Sequence, residues 1–239
     1  MLYWRSVHGA KSAQDSVRER TVMPTKGIIF DCDGTLLDTM DMWHEIEAEL
    51  ARRSGVEPSE ELAAELAPLT LPEVAAYFHE RHGLGSSNNE VLDMLTQDAI
   101  EGYGTIATAR PGALEVVQAL AEAGVRMSVA SSSSQAMLQA GLAHAGFLPY
   151  MDAVFSVDDV GESKRSPKVY HAARDAMGTS TAETWGVEDA IYAVRTLNAA
   201  GYRTLGIYDT DPSATWEQLQ AEANVAIRTW EGFDISLFD

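Results

Sequence analysis

Cysteine is almost absent from this sequence, which has only Cys32 among its 239 residues. A single cysteine excludes an internal disulfide framework and is typical of proteins in a reducing compartment, so we expect a cytoplasmic protein. Long apolar runs are also absent, since none approaches the roughly 20 residues that a membrane-spanning helix needs. Residues 1–22 lack the apolar core of a secretory signal, and we expect them to be a disordered N-terminal extension.

Positive charge is scarce as well, because 17 Lys and Arg stand against 36 Asp and Glu, for a formal net charge of -19. Nucleic acids and anionic membrane surfaces are bound through clustered Lys and Arg, so the composition argues against both partners. The same negative field would repel a phosphorylated substrate unless a local cation offset it. We therefore expect a small-molecule partner, and a protein that is a monomer or a weak homo-oligomer.

Hydrophobic periodicity divides the chain into three parts. Residues 28–30 form a short apolar run, typical of a strand that is buried on both faces. From residue 40 to residue 109 the period is helical and we expect no strand. From residue 110 short strands alternate with helices, with residues 224–228 as an edge strand, which indicates a parallel sheet with right-handed crossovers.

The predicted fold class is therefore α/β: a doubly wound, Rossmann-like parallel sheet with an inserted all-helical cap domain. We expect residues 23–39 and 110–239 to form the core and residues 40–109 to form the cap. Ligands of such sheets bind outside the carboxyl ends of the strands. The residues that follow each predicted strand are thus the first candidates for a functional site.

Two carboxylates, Asp31 and Asp33, follow the first strand directly and precede Gly34. Other predicted strands end near Ser131 and near Glu188-Asp189, and Lys164 lies in a loop between a strand and a helix. In a parallel sheet these ends meet at one edge. Four carboxylates, one hydroxyl and one ammonium group can therefore converge on a single crevice.

The charge of this crevice predicts what it holds. Four carboxylates packed closely cannot all stay ionised without compensation, and a hard divalent cation with oxygen ligands, most naturally Mg²⁺, is the simplest one. Asp31 could then act as a nucleophile that forms an aspartyl phosphate, with Asp33 as acid and base. Ser131 and the backbone N–H of Ser132 would hold the phosphoryl oxygens, with Lys164 as a further positive charge.

These groups resemble the four motifs of the haloacid dehalogenase superfamily, in its phosphatase branch. The resemblance rests on Asp31 to Leu36, on Ser131, on Lys164 with Pro167, and on Glu188-Asp189 followed by Ala199 to Gly201. It implies a hydrolase with a helical cap, as in phosphoglycolate phosphatase and β-phosphoglucomutase, and a cap that opens and closes over the substrate. It also implies Mg²⁺ bound by Asp31, the backbone carbonyl of Asp33 and Asp189, with Glu188 assisting.

Two residues depart from the family pattern. Arg165 stands in place of the usual proline after the motif lysine, and Ala190 in place of the frequent serine after Glu188-Asp189. Neither change removes a catalytic group. Trp43 and His44, just beyond the first motif, are candidate substrate-binding residues of the cap.

Cys32 could in principle be a thiolate nucleophile, but the residues around it argue against this role. A phosphate-binding cysteine loop brings an arginine after the cysteine, whereas Cys32 is followed by Asp33, Gly34 and apolar residues. Alternation along the strand places its side chain opposite the two aspartates, which favours a small core residue.

Several functions fit the motifs to different degrees. A Mg²⁺-dependent phosphatase of a small phosphorylated metabolite is the first hypothesis, and a β-phosphoglucomutase-like mutase is the alternative. A mutase must bind a bisphosphorylated intermediate, which calls for basic cap residues, and the predicted cap is acidic. A dehalogenase would need neither Asp33 nor a metal, and a non-catalytic binding protein would be expected to have lost at least one motif.

Overall fold

A computed structural model describes residues 25–66, 69–209 and 214–238 of the chain. The predicted disorder of residues 1–22 concerns a segment outside the described residues. In the described ranges, each helix is too short or too polar to cross a bilayer.

The fold is α/β, as predicted, and is built on a six-stranded parallel sheet. The sheet has the strand order β5-β4-β1-β6-β7-β8, and a separate two-stranded sheet pairs β2 with β3. The strands are β1 (Gly27–Phe30), β2 (Leu37–Asp38), β3 (Thr108–Ala109), β4 (Arg126–Ser131), β5 (Ala153–Ser156), β6 (Thr184–Glu188), β7 (Arg203–Ile207) and β8 (Val225–Ile227). The last strand, β8, lies at an edge, as the sequence predicts.

The central strand β1 is flanked by β4 and β6. Phe30 at its end is in register with Val129 of β4 and with Val187 of β6. Because all three strands run in the same direction, the residues that follow them leave the sheet at the same edge. Asp31, Ser131 and Glu188 are therefore neighbours in space although the sequence separates them by up to 157 positions.

Helices cover both faces of the sheet and also form the segment between β2 and β3. Ile28 and Phe30 face a cluster that includes residues of α5 and α6, whereas Ile29 faces a second cluster with residues of α7 and α8. This alternation is the reason that β1 reads as a continuous apolar run. The helices are α1 (Met40–Arg53), α2 (Glu60–Leu66), α3 (Leu71–His82), α4 (Asn88–Thr105), α5 (Ala113–Glu122), α6 (Gln135–His144), α7 (Lys168–Met177), α8 (Ile191–Ala199) and α9 (Trp216–Glu222).

Helices α1 to α4 belong to residues 40–109, which we call the helical segment. Their ends carry ordinary capping signals: Ser87 accepts a hydrogen bond from the Glu90 N–H at the start of α4, and Gly83 ends α3 with a φ of 69°. Their buried residues, among them Met42, Phe78 and Leu95, join the same apolar cluster as β1. The helical segment thus packs continuously onto the sheet layer.

One expectation about this segment is wrong, because it contains a strand. Thr108–Ala109 (β3) pairs antiparallel with Leu37–Asp38 (β2), and the Arg110 N–H donates to the Leu36 carbonyl at 2.8 Å. Two residues are too few to show alternation, so their pattern could not predict a strand. The pair ties together the two points where the chain enters and leaves the helical segment.

The C-terminal residues pack against the loop that follows β1. Trp230 is buried, its indole N–H donates to the Thr35 carbonyl at 2.8 Å, and its ring meets the Phe30 ring edge-on at 6.2 Å. The backbone of Trp230 approaches Gly112 so closely that a Cβ there would lie 2.6 Å from the Trp230 carbonyl carbon. Gly112 thus permits the C-terminal segment to support the loop that carries Asp31 and Asp33.

We predict that Gly112→Ala destabilises the protein more than Gly124→Ala does. Both glycines have positive φ, 83° and 77°, but an added Cβ at Gly124 meets no atom of the described residues within 4 Å. The free energy of unfolding of the control, Gly124→Ala, should therefore fall only by the cost of a left-handed backbone conformation for alanine, about 1–2 kcal/mol. For Gly112→Ala it should fall by about 1–3 kcal/mol more, because the added Cβ overpacks the contact with Trp230. Urea unfolding of both variants measures the difference, and equal losses would contradict the close approach of Trp230.

Candidate active site

The loop after β1 places Asp31 and Asp33 at the carboxyl edge of the sheet. The Asp31 N–H donates to the Val187 carbonyl at 2.9 Å, and the Gly34 N–H donates to the Leu37 carbonyl at 2.9 Å. Gly34 has a φ of 75°, and a Cβ there would lie 2.6 Å from carboxylate oxygens of both Asp189 and Asp209. Only glycine fits at this turn, because any side chain would collide with these acids.

Lys164 is the cation of the site and bridges two acidic side chains. Its ammonium contacts Asp31 Oδ1 and lies 2.8 Å from Glu188 Oε1, and all three residues are buried. Thr35 Oγ1 donates to the other oxygen of Asp31 at 3.3 Å. A buried ammonium held by two carboxylates orients both of them, and removing it would leave uncompensated buried charge.

Glu188 and Asp189 complete a group of three acids. Asp31, Glu188 and Asp189 each offer one carboxylate oxygen, and these atoms lie within 4.8 Å of one another. Tyr170 Oη donates to Glu188 Oε1 at 2.8 Å. Glu188 Oε2 is buried and has no hydrogen-bond partner among the described residues. A buried oxygen without a partner in an acidic group is the donor that a hard cation requires.

The electrostatics of these three acids also indicate a site for a cation. Burial raises the pKa of Glu188 to about 7, with the charge of Asp31 adding to it and Lys164 opposing it. Burial, followed by Asp31 and Glu188, also raises the pKa of Asp189 well above its ordinary value. Burial alone would lower the pKa of Lys164, but Asp31 and Glu188 outweigh it and raise that pKa. One ammonium thus faces three carboxylates, and the residues present fit a divalent cation.

Asp33 lies beside this group with both oxygens engaged. Tyr103 Oη donates to Asp33 Oδ1 at 2.6 Å, and Ser133 Oγ donates to Oδ2 at 2.7 Å. Burial and the charge of Asp31 raise the pKa of Asp33, while the hydroxyl groups oppose this rise. A carboxyl group with a raised pKa that sits near a nucleophile is typical of a general acid.

The residues after β4 face the same region. Ser131 is buried at the strand end, and its Oγ accepts a hydrogen bond from the Ser133 N–H at 3.1 Å. Ser132 is exposed in the turn between them. Since Ser133 also contacts Asp33, this turn lies against the loop that follows β1.

The two candidate substrate-binding residues of α1 lie in different surroundings. The ring of Trp43 meets the ring of Tyr103 edge-on at 6.3 Å, so Trp43 lies close to the crevice. His44 is exposed and lines a cavity of about 480 Å³ together with Glu47 of the same helix and residues of α2.

The structure also shows the surroundings of Cys32 and of the two residues that depart from the family pattern, Arg165 and Ala190. Cys32 is fully buried in the apolar cluster, and burial, followed by Asp33 and Asp31, raises the pKa of its thiol, so the prediction of a core residue is confirmed. The guanidinium of Arg165 lies 4.9 Å above the ring of Tyr192. Ala190 precedes α8 and provides no side-chain cap.

Sequence reasoning missed several side chains that contact the acids. Two of them are Tyr103 of α4 and Tyr170 of α7, which lie on the apolar faces of their helices. Their spacing therefore predicts core residues and does not indicate a polar role. Arg110 donates to the Tyr208 carbonyl at 2.9 Å, contacts the Gly34 carbonyl and pairs with Asp209, which links three separate loops. The missed residues are Thr35, Tyr103, Arg110, Ser133, Tyr170 and Asp209.

Comparisons with known proteins identify the family of the chain. The sequence profile of the haloacid dehalogenase-like hydrolases matches residues 25–201. Hexitol phosphatase A from Escherichia coli (strain K12) is 30% identical over 190 residues, which are 77% of this chain and 84% of that protein. Fructose-1-phosphate phosphatase YqaB from the same organism is 26% identical over 188 residues, which are 73% of this chain and 92% of that protein.

Solved structures share the fold. CbbY from Rhodobacter sphaeroides in complex with phosphate superposes with a TM-score of 0.69 at 22% identity and covers 86% of this chain and 95% of its own. β-Phosphoglucomutase from Clostridium difficile superposes with a TM-score of 0.66 at 17% identity and covers 89% and 95%.

We predict that Glu188 makes the metal-free protein less stable as the pH rises. The folded state binds this proton with a pKa of about 7, against 4.5 for an ordinary glutamate, so the free energy of unfolding falls between these two pH values. In chelator, urea unfolding should show a fall of about 1–3 kcal/mol from this group. Glu188→Gln should flatten the slope without abolishing it, because Asp33 and Asp189 have shifts of the same sign. An identical slope in the variant would contradict the prediction.

Proposed function

This chain belongs to the haloacid dehalogenase-like hydrolases and is a phosphomonoester hydrolase, and on that premise we propose that it is a Mg²⁺-dependent phosphatase of a small phosphorylated metabolite. The observation that carries the proposal is the buried group of Asp31, Glu188 and Asp189 around Lys164, with one Glu188 oxygen lacking a partner among the described residues. Such a group suits phosphoryl transfer, where catalysis is mainly positioning and charge stabilisation.

In this proposal Asp31 is the nucleophile. One of its carboxylate oxygens attacks phosphorus, the bond from phosphorus to the substrate oxygen breaks, and Asp33 gives its proton to that departing oxygen. Asp33 then removes a proton from water, which attacks the phosphorus of the aspartyl phosphate and releases inorganic phosphate and free Asp31. Lys164 holds the Asp31 carboxylate in place for both displacements.

Several groups have a proposed binding role. Asp31, the backbone carbonyl of Asp33 and Asp189 would hold Mg²⁺, with Glu188 assisting. Bound there, Mg²⁺ would supply positive charge to the phosphoryl oxygens. Oxygens of Asp31, Glu188 and Asp189 lie within 4.8 Å of one another, and Lys164 lies 2.8 Å from Glu188, which supports the proposal.

The remaining binding roles concern the substrate. Ser131 and the Ser132 N–H would hold the phosphoryl oxygens, and Trp43 and His44 would contact the rest of the molecule. Residues 40–109 would act as a cap that opens and closes over the core formed by residues 23–39 and 110–239.

Hydrolysis fits the helical segment better than mutase chemistry does. A mutase needs cations for the second phosphate of its intermediate, and the helical segment contains three arginines and no lysine. Each of these arginines pairs with a carboxylate: Arg52 with Glu45 and Glu49, Arg53 with Glu49 and Asp98, and Arg81 with Glu65. These pairs leave little positive charge for a second phosphate group.

The names of the relatives suggest where to look for a substrate. Hexitol phosphatase A and fructose-1-phosphate phosphatase are named for phosphate esters of a sugar alcohol and a sugar. We propose a substrate of this polyhydroxylated type. A panel of sugar and sugar-alcohol phosphates, with glucose 1-phosphate included to detect mutase turnover, is the direct assay.

We predict that wild-type protein releases phosphate from members of this panel with Mg²⁺ and that excess chelator abolishes the release. Asp31→Asn should lower kcat by at least about 10³-fold, because a carboxamide cannot act as the nucleophile. Circular dichroism should show an intact fold, and Asp158→Asn, an exposed aspartate after β5, is the matched control. Full activity of Asp31→Asn, or activity that survives the chelator as in a dehalogenase, would contradict the proposal.

A second prediction concerns the metal without any turnover. Mg²⁺ at about 100 times its dissociation constant should stabilise wild-type protein by about 2.7 kcal/mol, since it binds only the folded state. In Asp189→Asn this thermal shift should largely disappear, whereas Asp158→Asn should retain it. An unchanged shift in Asp189→Asn would exclude Asp189 from the ligand set.

A further inference from the structure

Asp33, the proposed acid and base, is held by hydroxyl groups from two distant parts of the chain. Tyr103 of α4 donates to Oδ1 at 2.6 Å, and Ser133, two residues after β4, donates to Oδ2 at 2.7 Å. The two hydroxyl oxygens lie 3.1 Å apart. Nothing in the motifs around Asp33 identifies Tyr103, which is 70 residues away and lies in the helical segment.

Packing determines the position of the Tyr103 hydroxyl. The side chain is fully buried, and the Trp43 ring of α1 meets its ring edge-on. The ring also packs against Gly141 of α6, where a Cβ would be only 2.8 Å from Tyr103 Cδ1. Helices α1, α4 and α6 therefore fix the ring, which has little freedom to move without them.

The hydroxyl itself demands a partner. A buried phenol loses its water, and leaving it without a hydrogen bond costs free energy that a phenylalanine at this position would avoid. Burial and the neighbouring Asp33 charge raise the pKa of Tyr103 well above its ordinary value, so the hydroxyl keeps its proton and remains a donor. Its partner is the carboxyl group that must exchange a proton with the substrate.

On the basis of the proposed phosphatase function, we propose that Tyr103 is a positioning residue that holds Asp33 by Oδ1 and leaves Oδ2 to exchange the proton with the leaving-group oxygen. Ser133 must release Oδ2 in that step, and its hydroxyl can turn to the Tyr103 oxygen 3.1 Å away. Tyr103 blocks rotation of the carboxyl group, so Oδ2 keeps one direction. A fixed donor geometry is what makes general acid catalysis efficient.

Leaving groups of different basicity separate this role from a merely structural one. A good leaving group such as p-nitrophenolate departs without much help from an acid, whereas phenolate depends on it. Losing a positioned acid therefore slows phenyl phosphate more than p-nitrophenyl phosphate. Loss of stability or of packing would slow the two esters equally, because they have nearly the same shape.

The experiment compares kcat/KM for a series of para-substituted phenyl phosphates in wild-type protein and Tyr103→Phe. This parameter covers only the steps up to transfer of the phosphoryl group to Asp31, so later hydrolysis does not enter it. We expect a loss of about tenfold or more for phenyl phosphate and of less than about threefold for p-nitrophenyl phosphate. The dependence of kcat/KM on leaving-group pKa should become steeper.

Tyr77→Phe is the matched control. Tyr77 is also a tyrosine of the helical segment whose hydroxyl donates to a carboxylate, Glu65, at 2.8 Å, but this carboxylate is exposed. This variant should keep the wild-type dependence. Gly141→Ala decides the test if Tyr103→Phe is unfolded at the assay temperature. It keeps the hydroxyl but places a Cβ 2.8 Å from Tyr103 Cδ1, which shifts the ring, so it should steepen the dependence as well.

An equal loss for all esters in Tyr103→Phe, or no loss, would overturn the inference while wild-type turnover leaves the proposed function intact. The inference is also overturned if Tyr103→Phe is unfolded and Gly141→Ala keeps the wild-type dependence. If wild-type protein turned over neither these esters nor any member of the sugar phosphate panel, that result would instead count against the proposed function and remove the basis of the inference.

Discussion

The contact on which the rest of the site depends is the buried ammonium of Lys164 between Asp31 and Glu188. It joins a loop to the ends of two adjacent strands, and without it two acids would face each other at low dielectric with no counter-charge. Even with it the group remains negative, because Asp189 lies in the same cluster. The fold tolerates this imbalance at its centre, which is typical of a site built to take up a cation.

Around this charged centre the chain uses long-range contacts to hold one short loop. The Trp230 indole supports it from the C-terminal segment, Arg110 from the return of the helical segment, and Tyr103 from α4. Each of these residues is far from Asp31 and Asp33 in sequence. Neighbouring elements therefore hold the loop that follows β1 in place, while its own turn only requires glycine at position 34.

Much of the fold follows from local patterns. The buried run before Asp31 predicts a central strand, and α1 to α4 follow from helical periodicity with glycine and serine at their ends. The β2–β3 pair was missed because two residues carry no period, and α9 was not predicted. For the site, the acids could be found from their positions at strand ends and Lys164 from its position in a loop between a strand and a helix. Tyr103 and Tyr170 could not be found in this way, because a tyrosine on the apolar face of a helix is predicted to be a core residue.

The sequence by itself determined the order of most strands and helices along the chain, the acidic balance, the family and the identity of the charged groups, because residue type and spacing specify each of these. Only the tertiary structure decided which oxygen contacts which donor. The packing of helices at Gly141 and Trp43 determines the position of the Tyr103 hydroxyl. The arrangement of the strands in the sheet brings Lys164 into contact with Glu188. Such contacts depend on the directions of side chains from elements far apart in the chain, and no local pattern encodes them.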